Sequence, residues 1–550
     1  MIFKKNTMEP FNKIRFLIIL IIISFLLTGC EGDWLDEQPL TSISESSFWS
    51  SKDDAMLALV GCYRNTNFTF SGYNNEHLCL TSNTDDSNYK ESAIGDIYTG
   101  YFLPSDNQVV LSIWTRAYST IFKANYFLEN IDRVEMDSKL KAEITAEVRF
   151  IRAYEYFYMS IMYGGVPLIT KVLTISEANT QTRNSVDEIR TFCKNELTEA
   201  AKDLPAIRPD DEKGRILKAA ALAVKGRLLM IENKWSEAAA TYKEIIDLNV
   251  HIIDPRYKAL FEEKGENSKE IILSTNNLAS LYPNANNQTN YKPQMYGGYQ
   301  ECGATQDLID NFLMKDGLSI EESPLYDPNH PFDNRDPRFY ANFFLPEYTT
   351  YEGKLYLGHP DLTSDGIKTM PGATGYCFRK LCTEYYSGPM HDSGDDIIYI
   401  RYAEVLLSYL ESKLENGDNI TQDLLDQTIN KVRNREEVKM PFVTETNRDK
   451  LREIVRRERR MEFCFERVIR YMDIRRWGIY LEVMNKQMYG MKLTNDPDNY
   501  KDYIVETVGK YKGHYKPINK TGTKTPGMEL LPIPLYEIDI NPMLEQNPGY

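Results

Sequence analysis

The chain of 550 residues reads as a mainly α protein, in which about four helical hairpins form a scaffold interrupted by long, irregular, loop-rich insertions. Three observations predict this. Apolar residues recur at intervals of three and four through several separated segments, the period of a helix with one buried face. Between them, over residues 71–107 and about 249–395, that period disappears while Asn, Tyr, Gly and Pro rise. No Gly/Ser/Pro-rich linker divides the chain, so one large body with insertions is expected rather than independent domains.

The helical elements follow in order. Over residues 139–163, Ala146, Phe150, Ala153, Phe157 and Ile161 mark one buried stripe, and Gly164-Gly165-Val166-Pro167 ends the helix. Residues 186–204 are its expected partner. Over 218–248 two helices follow each other across a break at Glu232-Asn233-Lys234. Gly226, Ala238 and Tyr242 fall there at the small-residue and aromatic positions of a tetratricopeptide unit, where small residues let paired helices approach and the aromatic fills the groove. The match is partial, because the unit's Trp and closing Pro are absent from their places. Further pairs are predicted for 396–416 with 421–437 and for 448–466 with 469–483. Four such hairpins suffice for a short solenoid with a continuous core.

Ahead of this body, Lys4, Lys5, Lys13 and Arg15 precede an apolar run over 16–27 broken only by Ser24, the layout of a secretory leader. The run is shorter than the roughly 20 residues that span a bilayer, which favours a cleaved leader over a retained span. Leu27-Thr28-Gly29-Cys30 closes the run and resembles the bacterial lipobox, in which cleavage precedes a lipidated cysteine. Two or more acyl chains on Cys30 would anchor the protein stably, at about 0.8 kcal/mol per buried CH2. The expected organisation is therefore a leader over 1–29, a lipidated tether over 30–40, and one body over 41–550. That body comprises an N-terminal portion (41–215), the hairpin at 218–248, the insertion (249–395) and C-terminal helices with a tail (396–550). Glu31, Asp33, Asp36 and Glu37 make the tether acidic, either as an export signal to the cell surface or as a solvated spacer.

Net charge is −16, and loss of the leader, with four basic residues and one acidic, makes it −19. Nucleic acid is thereby excluded as a partner, since phosphate binding rests on Lys and Arg. Neutral ligands are favoured over anionic ones. Eight cysteines are present. With Cys30 lipidated an odd number is left, and although Cys377 and Cys382 are close enough in sequence to bridge, most are read as buried small hydrophobes. Their spacing fits no zinc pattern. No Gly-x-Ser-x-Gly elbow, His-Glu-x-x-His or phosphate loop occurs, and acidic pairs such as Asp85-Asp86 and Asp395-Asp396 carry little weight among 80 Asp and Glu residues. No catalytic residue, cofactor or metal is expected. The basic run Arg452, Arg456, Arg457, Arg459, Arg460 alternates with Glu453, Glu458, Glu462 and Glu466, which predicts ion pairs along a packed helix rather than a phosphate site.

Long ordered loops in a compact protein are usually functional, so the two irregular stretches hold the candidate site. Flat aromatic rings flanked by amides and carboxylates suit the apolar faces and hydroxyls of neutral sugars. The first stretch supplies Tyr89, Tyr98 and Tyr101 with Asn83 and Asp85. The second supplies Tyr282, Tyr291, Tyr296 and Tyr299. Trp114, in a helical context with Tyr118, Ile121 and Asn125, is read as core.

Several segments resemble the SusD/RagB family: Glu147-Val-Arg-Phe-Ile-Arg-Ala-Tyr-Glu-Tyr-Phe with Tyr163-Gly-Gly-Val-Pro-Leu168, Asp336-Pro-Arg-Phe339, Arg401-Tyr-Ala-Glu-Val-Leu-Leu407, Ile429-Asn-Lys-Val-Arg-Asn-Arg435, Arg456-Arg-Glu-Arg-Arg-Met-Glu-Phe463, Asp473-Ile-Arg-Arg-Trp-Gly478, Leu531-Pro-Ile-Pro534 and Gln546-Asn-Pro-Gly-Tyr550. With the lipobox they span residues 30–550 in the family's order. The resemblance implies a SusD-like fold and a non-catalytic lipoprotein of the outer membrane, facing the cell exterior. Such a protein acts as a lid on a SusC-like TonB-dependent transporter, capturing glycan or, in the RagB branch, peptide. A tetratricopeptide-type envelope scaffold without a small ligand is the reading from another class. The matching motifs are mostly scaffold, so they imply fold and partner more than ligand.

Overall fold

The computed structural model describes residues 48–64, 66–67, 81, 83–89, 108–284, 287–358, 374–493, 505–516 and 523–550; the leader, Cys30 and the tether lie outside them. Capping chemistry sets where helices begin. At α1 (Lys52–Tyr63) Ser51 accepts from the Asp54 amide while the Asp54 carboxylate accepts from the Ser51 amide, and Ser185 with Glu188 repeats this reciprocal box at α4 (Val186–Asp203). The remaining long helices are α2 (Gln108–Asn130), α3 (Ser138–Met162), α5 (Lys218–Ile231), α6 (Trp235–Asp247), α7 (Tyr402–Glu415) and α8 (Arg448–Glu462).

From α2 to α8 each helix packs against the next in the chain, which is the architecture of a helical solenoid even though long insertions separate the members. The fold is mainly α with few strands, as the hydrophobic period predicts. Helix α3 is buried on nearly every side from Ala146 to Met162 because it lies between α2 and α4. The tetratricopeptide reading of α5 and α6 is physical: a Cβ built on Gly226 would meet the Tyr242 ring at 2.5 Å. Trp114 is core as expected, 3% exposed and edge-on to Tyr163 at 5.2 Å.

Two predicted hairpins differ in detail. Residues 398–401 form strand β8 (Ile398–Arg401) instead of the start of a helix, paired antiparallel with β2 (Ile271–Ser274). All four β8 residues are buried, and a short apolar run with β-branched residues has no period that distinguishes strand from helix. The arm expected over 421–437 breaks at Thr428 into Gln422–Gln427 and Ile429–Arg433. The arm after α8 restarts only beyond left-handed residues Phe465 and Val468, giving α9 (Ile469–Arg476).

The insertions carry the remaining strands. β1 (Ser87–Tyr89), β3 (Cys302–Ala304), β7 (Cys377–Phe378) and β4 (Phe343–Phe344) form one sheet in the order β1-β3-β7-β4, and β5 (Thr350–Tyr351) with β6 (Lys354–Leu355) forms a small hairpin. Cys62, Cys193, Cys302, Cys377, Cys382 and Cys464 are all buried and unbridged. Burial pushes the Cys62 and Cys382 thiols up to about 12.

A buried ionic network ties the 249–395 insertion to the C-terminal helices. Arg338 bonds Asp336 (2.8 Å), Glu458 (2.6 Å) and Glu462 (2.7 Å), and Arg401 bonds Glu270 (2.8 Å), Glu462 (2.6 Å) and Glu466 (2.8 Å). Arg433 reaches Glu458, Arg435 reaches Glu270 and Glu462, and Lys380 reaches Glu466. The basic run of α8 is thus structural, but its partners differ from those the spacing predicts. Arg452 does pair with Asp449 within the helix, whereas Arg459 pairs with Asp473 and Arg460 with Asp85, Asp86 and Asp307, all on other segments.

The tail closes the first hairpin. Leu531 N donates to Met162 O, and Asn547 Nδ2 donates to both Tyr163 O (2.9 Å) and Leu531 O (2.7 Å). Arg183 donates to Asn547 Oδ1 and to Glu545 O at 2.7 Å each.

Candidate functional site

The two irregular stretches meet. β1, from the first, runs antiparallel to β3, from the second, with Ser87 opposite Ala304 and Tyr89 opposite Cys302. Thr305 strengthens the seam by donating its amide to Asp86 O and its hydroxyl to Asp85 O.

Within this junction the polar residues of the first stretch are committed to the scaffold. Asp85 accepts from Arg470 at 2.7 and 2.9 Å. Burial alone would raise its carboxyl, but Arg460 and Arg470 outweigh burial and hold it well below the ordinary range. Asn83 is 1% exposed and accepts from the Tyr480 hydroxyl at 2.7 Å. Tyr89 contributes its backbone to β1, while Tyr98 and Tyr101 lie outside the described residues.

The tyrosines of the insertion divide by environment. Tyr291 is 1% exposed and stands edge-on to Phe465 with centroids 4.9 Å apart, so it belongs to the core. Aromatic enrichment alone does not separate a packing ring from a displayed one. Tyr296 is half-buried among Phe344, Tyr351 and Tyr356 and donates to Lys354 O at 2.9 Å, fastening its loop to the β5–β6 hairpin. Tyr282 and Tyr299 are displayed, at 56% and 40% exposure.

A second loop, over 385–395, joins these two. Asn284 N donates to Ser393 O at 2.7 Å, Ser280 donates to Asp392, and the Tyr299 hydroxyl lies 3.5 Å from His391 Nε2. Exposed Tyr385 and half-buried Tyr386 extend the aromatic surface of this loop. Sequence reasoning missed Tyr385, Tyr386 and His391, although the Tyr-Tyr pair lay within the tyrosine-rich insertion. Beside Tyr299, Gln300 holds a left-handed backbone and buries both polar atoms of its amide without a hydrogen-bond partner, a state that favours a ligand or solvent partner.

The acidic pairs serve structure. Asp395 accepts from Thr383 Oγ1, Ser393 Oγ, Gln288 Nε2 and the Glu263 amide. Asp396 accepts from Asn277 N and Ser274 Oγ, and its own amide donates to Glu266. Burial raises Asp396 to about 6; burial together with the Asp396 charge raises Glu266 to about 8, with Lys213 opposing and Glu263 adding to the rise. A carboxyl whose folded pKa is raised gives stability that is full below the unfolded value and lost as pH climbs through the folded one. Glu266→Gln is therefore expected to leave the thermal midpoint near the wild-type value at about pH 5 and to raise it above wild type at about pH 9. Equal midpoint differences at both pH values would refute this. Among the described residues no group of three or more His, Cys, Asp or Glu is placed to hold a metal ion.

The arrangement is a rigid scaffold presenting rings on tied loops, suited to holding a flat or amphipathic ligand. Comparisons with known proteins bear on the family and the fold. A family model described as "SusD family" matches residues 259–550, and one described as "Starch-binding associating with outer membrane" matches 33–230. SusD-like protein P25 of Formosa agariphila is 25% identical over 98% of this chain and 100% of its own length. A solved SusD-like carbohydrate binding protein from Bacteroides fragilis is 32% identical, covers 90% of this chain and 100% of its own, and superposes with a TM-score of 0.82. Surface glycan-binding protein A from Bacteroides thetaiotaomicron, solved in complex with laminarihexaose, shares the fold at 20% identity and a TM-score of 0.68, over 90% of this chain and 99% of its own. The chain belongs to the SusD family.

Proposed function

We propose that this protein is a non-catalytic outer-membrane lipoprotein, anchored through Cys30 and facing the cell exterior, that captures glycan and delivers it to a SusC-like TonB-dependent transporter. The observation that carries the reading is the β1–β3 seam, which merges both irregular stretches beside loops displaying Tyr282 and Tyr299. Exposed rings on tied loops lose little entropy on binding, and their faces match the C–H faces of neutral sugars. The strongly acidic chain favours an uncharged ligand there. The relatives named for carbohydrate or glycan binding support the same class of ligand. Energy for passage comes from the transporter, with the lipoprotein acting as its lid.

Calorimetry against neutral glycans, with laminarin and starch among them, and against mixed peptides tests this. Tyr299→Ala is expected to weaken glycan binding about 2- to 10-fold, the worth of one stacking ring, and to leave thermal stability nearly unchanged. If Tyr282→Ala and Tyr299→Ala both leave affinity intact, the ligand sits elsewhere. Binding of peptides in place of glycans would support the RagB-type alternative. Co-purification of a large barrel from native membranes tests the partner.

A further inference from the structure

Away from the loop face, on the helical scaffold, a cavity of about 480 Å³ opens between the ends of α3, α4 and α5 and the turn after α9. That volume lies in the range of small-ligand sites. Its walls combine apolar Ile161, Met472 and Leu481 with the guanidinium groups of Arg190, Arg475 and Arg476.

These three arginines are not equivalent. Arg476 is saturated by Glu411 and Asp473. Arg475 donates to the Ile161 carbonyl and lies over the Tyr471 ring, and among the described residues no carboxylate comes within ion-pair distance of it. Arg190 has a buried Nε without a hydrogen-bond partner, and among the described residues no carboxylate comes within ion-pair distance of it. Of the two acids near Arg190, Glu232 is taken by Lys194 (2.5 Å) and Lys234 (2.9 Å), and Asp187, one turn back on α4, makes no ion pair with it. Glu529, which lines the cavity, accepts instead from the Gly527 amide. In a chain with 80 acidic residues against 64 basic ones, two guanidinium groups in one cavity that form no ion pair among the described residues are a poor outcome for folding alone. Burial most of all, and the charge of Arg475 to a lesser degree, act against the charged form of Arg190, while Glu232, Asp187 and Cys193 favour it.

We infer that this cavity is a second binding site, for a small organic carboxylate whose acid group is gripped by Arg190 and Arg475 and whose apolar body rests on Ile161, Met472 and Leu481. The planar guanidinium fork matches a carboxylate's two oxygens. The shared chemistry fits either a uronic-acid sugar or the free carboxylate end of a short peptide, and it is independent of the neutral-glycan site on the loops.

The test is calorimetry and thermal shift on the full-length protein with four probes: D-glucuronate, N-acetyl-leucine, glucose and inorganic phosphate. Either carboxylate is expected to bind with a dissociation constant on the order of millimolar or tighter and to raise the thermal midpoint. Glucose is expected to leave it unmoved. Arg190→Gln is expected to weaken carboxylate binding at least about tenfold while keeping the wild-type midpoint without ligand, since it breaks no ion pair; Arg190→Lys retains part of the affinity. The uronate and peptide-like arms identify the source. The proposal is overturned if neither carboxylate binds saturably, if phosphate alone binds, or if Arg190→Gln leaves binding unchanged. A midpoint drop in Arg190→Gln with ligand affinity intact would make Arg190 a scaffold residue, which also overturns it.

Discussion

Glu462→Gln is expected to destabilise the protein by about 3–5 kcal/mol, the cost of stripping one partner from a buried ion pair. Glu462 is fully buried and accepts from Arg338, Arg401 and Arg435, so the neutral amide leaves three guanidinium groups short of countercharge. Burial disfavours its charged form, yet Arg401, Arg435 and Arg338 overcome this and hold the carboxyl far below its ordinary value. Stability from such a depressed group is present above the unfolded pKa and lost as pH falls through the folded one. The variant should therefore differ most from wild type at neutral pH and least in strong acid. Urea midpoints across pH check this, and a loss under about 1 kcal/mol at neutral pH would mean that the network contributes like an exposed pair.

The second large effect concerns a residue that the sequence nominates for ligand contact. Tyr291→Ala is expected to cost about 3–5 kcal/mol through loss of a buried ring and the cavity left behind. The Tyr291 ring meets Phe465, which in turn stacks on Phe378 of β7 at 3.7 Å, so the damage reaches the sheet that joins the two loop stretches. Any fall in glycan affinity should track the unfolded fraction and vanish under strongly stabilising conditions. Tyr299→Ala should show the converse, weakened binding with unchanged stability. If Tyr291→Ala binds poorly while fully folded, the ring acts on the ligand directly.

The helices were legible because a 3.6-residue period over many residues has few competing explanations. Gly226 and Tyr242 located a hairpin by contact chemistry that the structure displays as a near collision. β8 was illegible because four buried residues carry no period, and α2 was recognised only around Trp114, without a partner. In the loops the sequence nominated a mixed set of residues, some displayed and some built into the scaffold. Tyr282 and Tyr299 are displayed, whereas Tyr291 and Asn83 are buried and Asp85 is half-buried, each against partners remote in sequence. Those partners, Phe465, Tyr480 and Arg470, come from the C-terminal helices, and no local spacing foretells such pairings. The motifs of the family resemblance prove to be largely the buried arginines and glutamates themselves, which explains why they report fold rather than ligand.

The clasp formed by Asn547 bears on how the chain acquires its shape. Its amide holds a carbonyl 384 positions earlier, so the first hairpin is sealed by a segment made long after it. Closing so long a loop is slow and is rewarded late. Under that rule the α3–α4 pair stays pliable until the segment carrying Asn547 has docked on it.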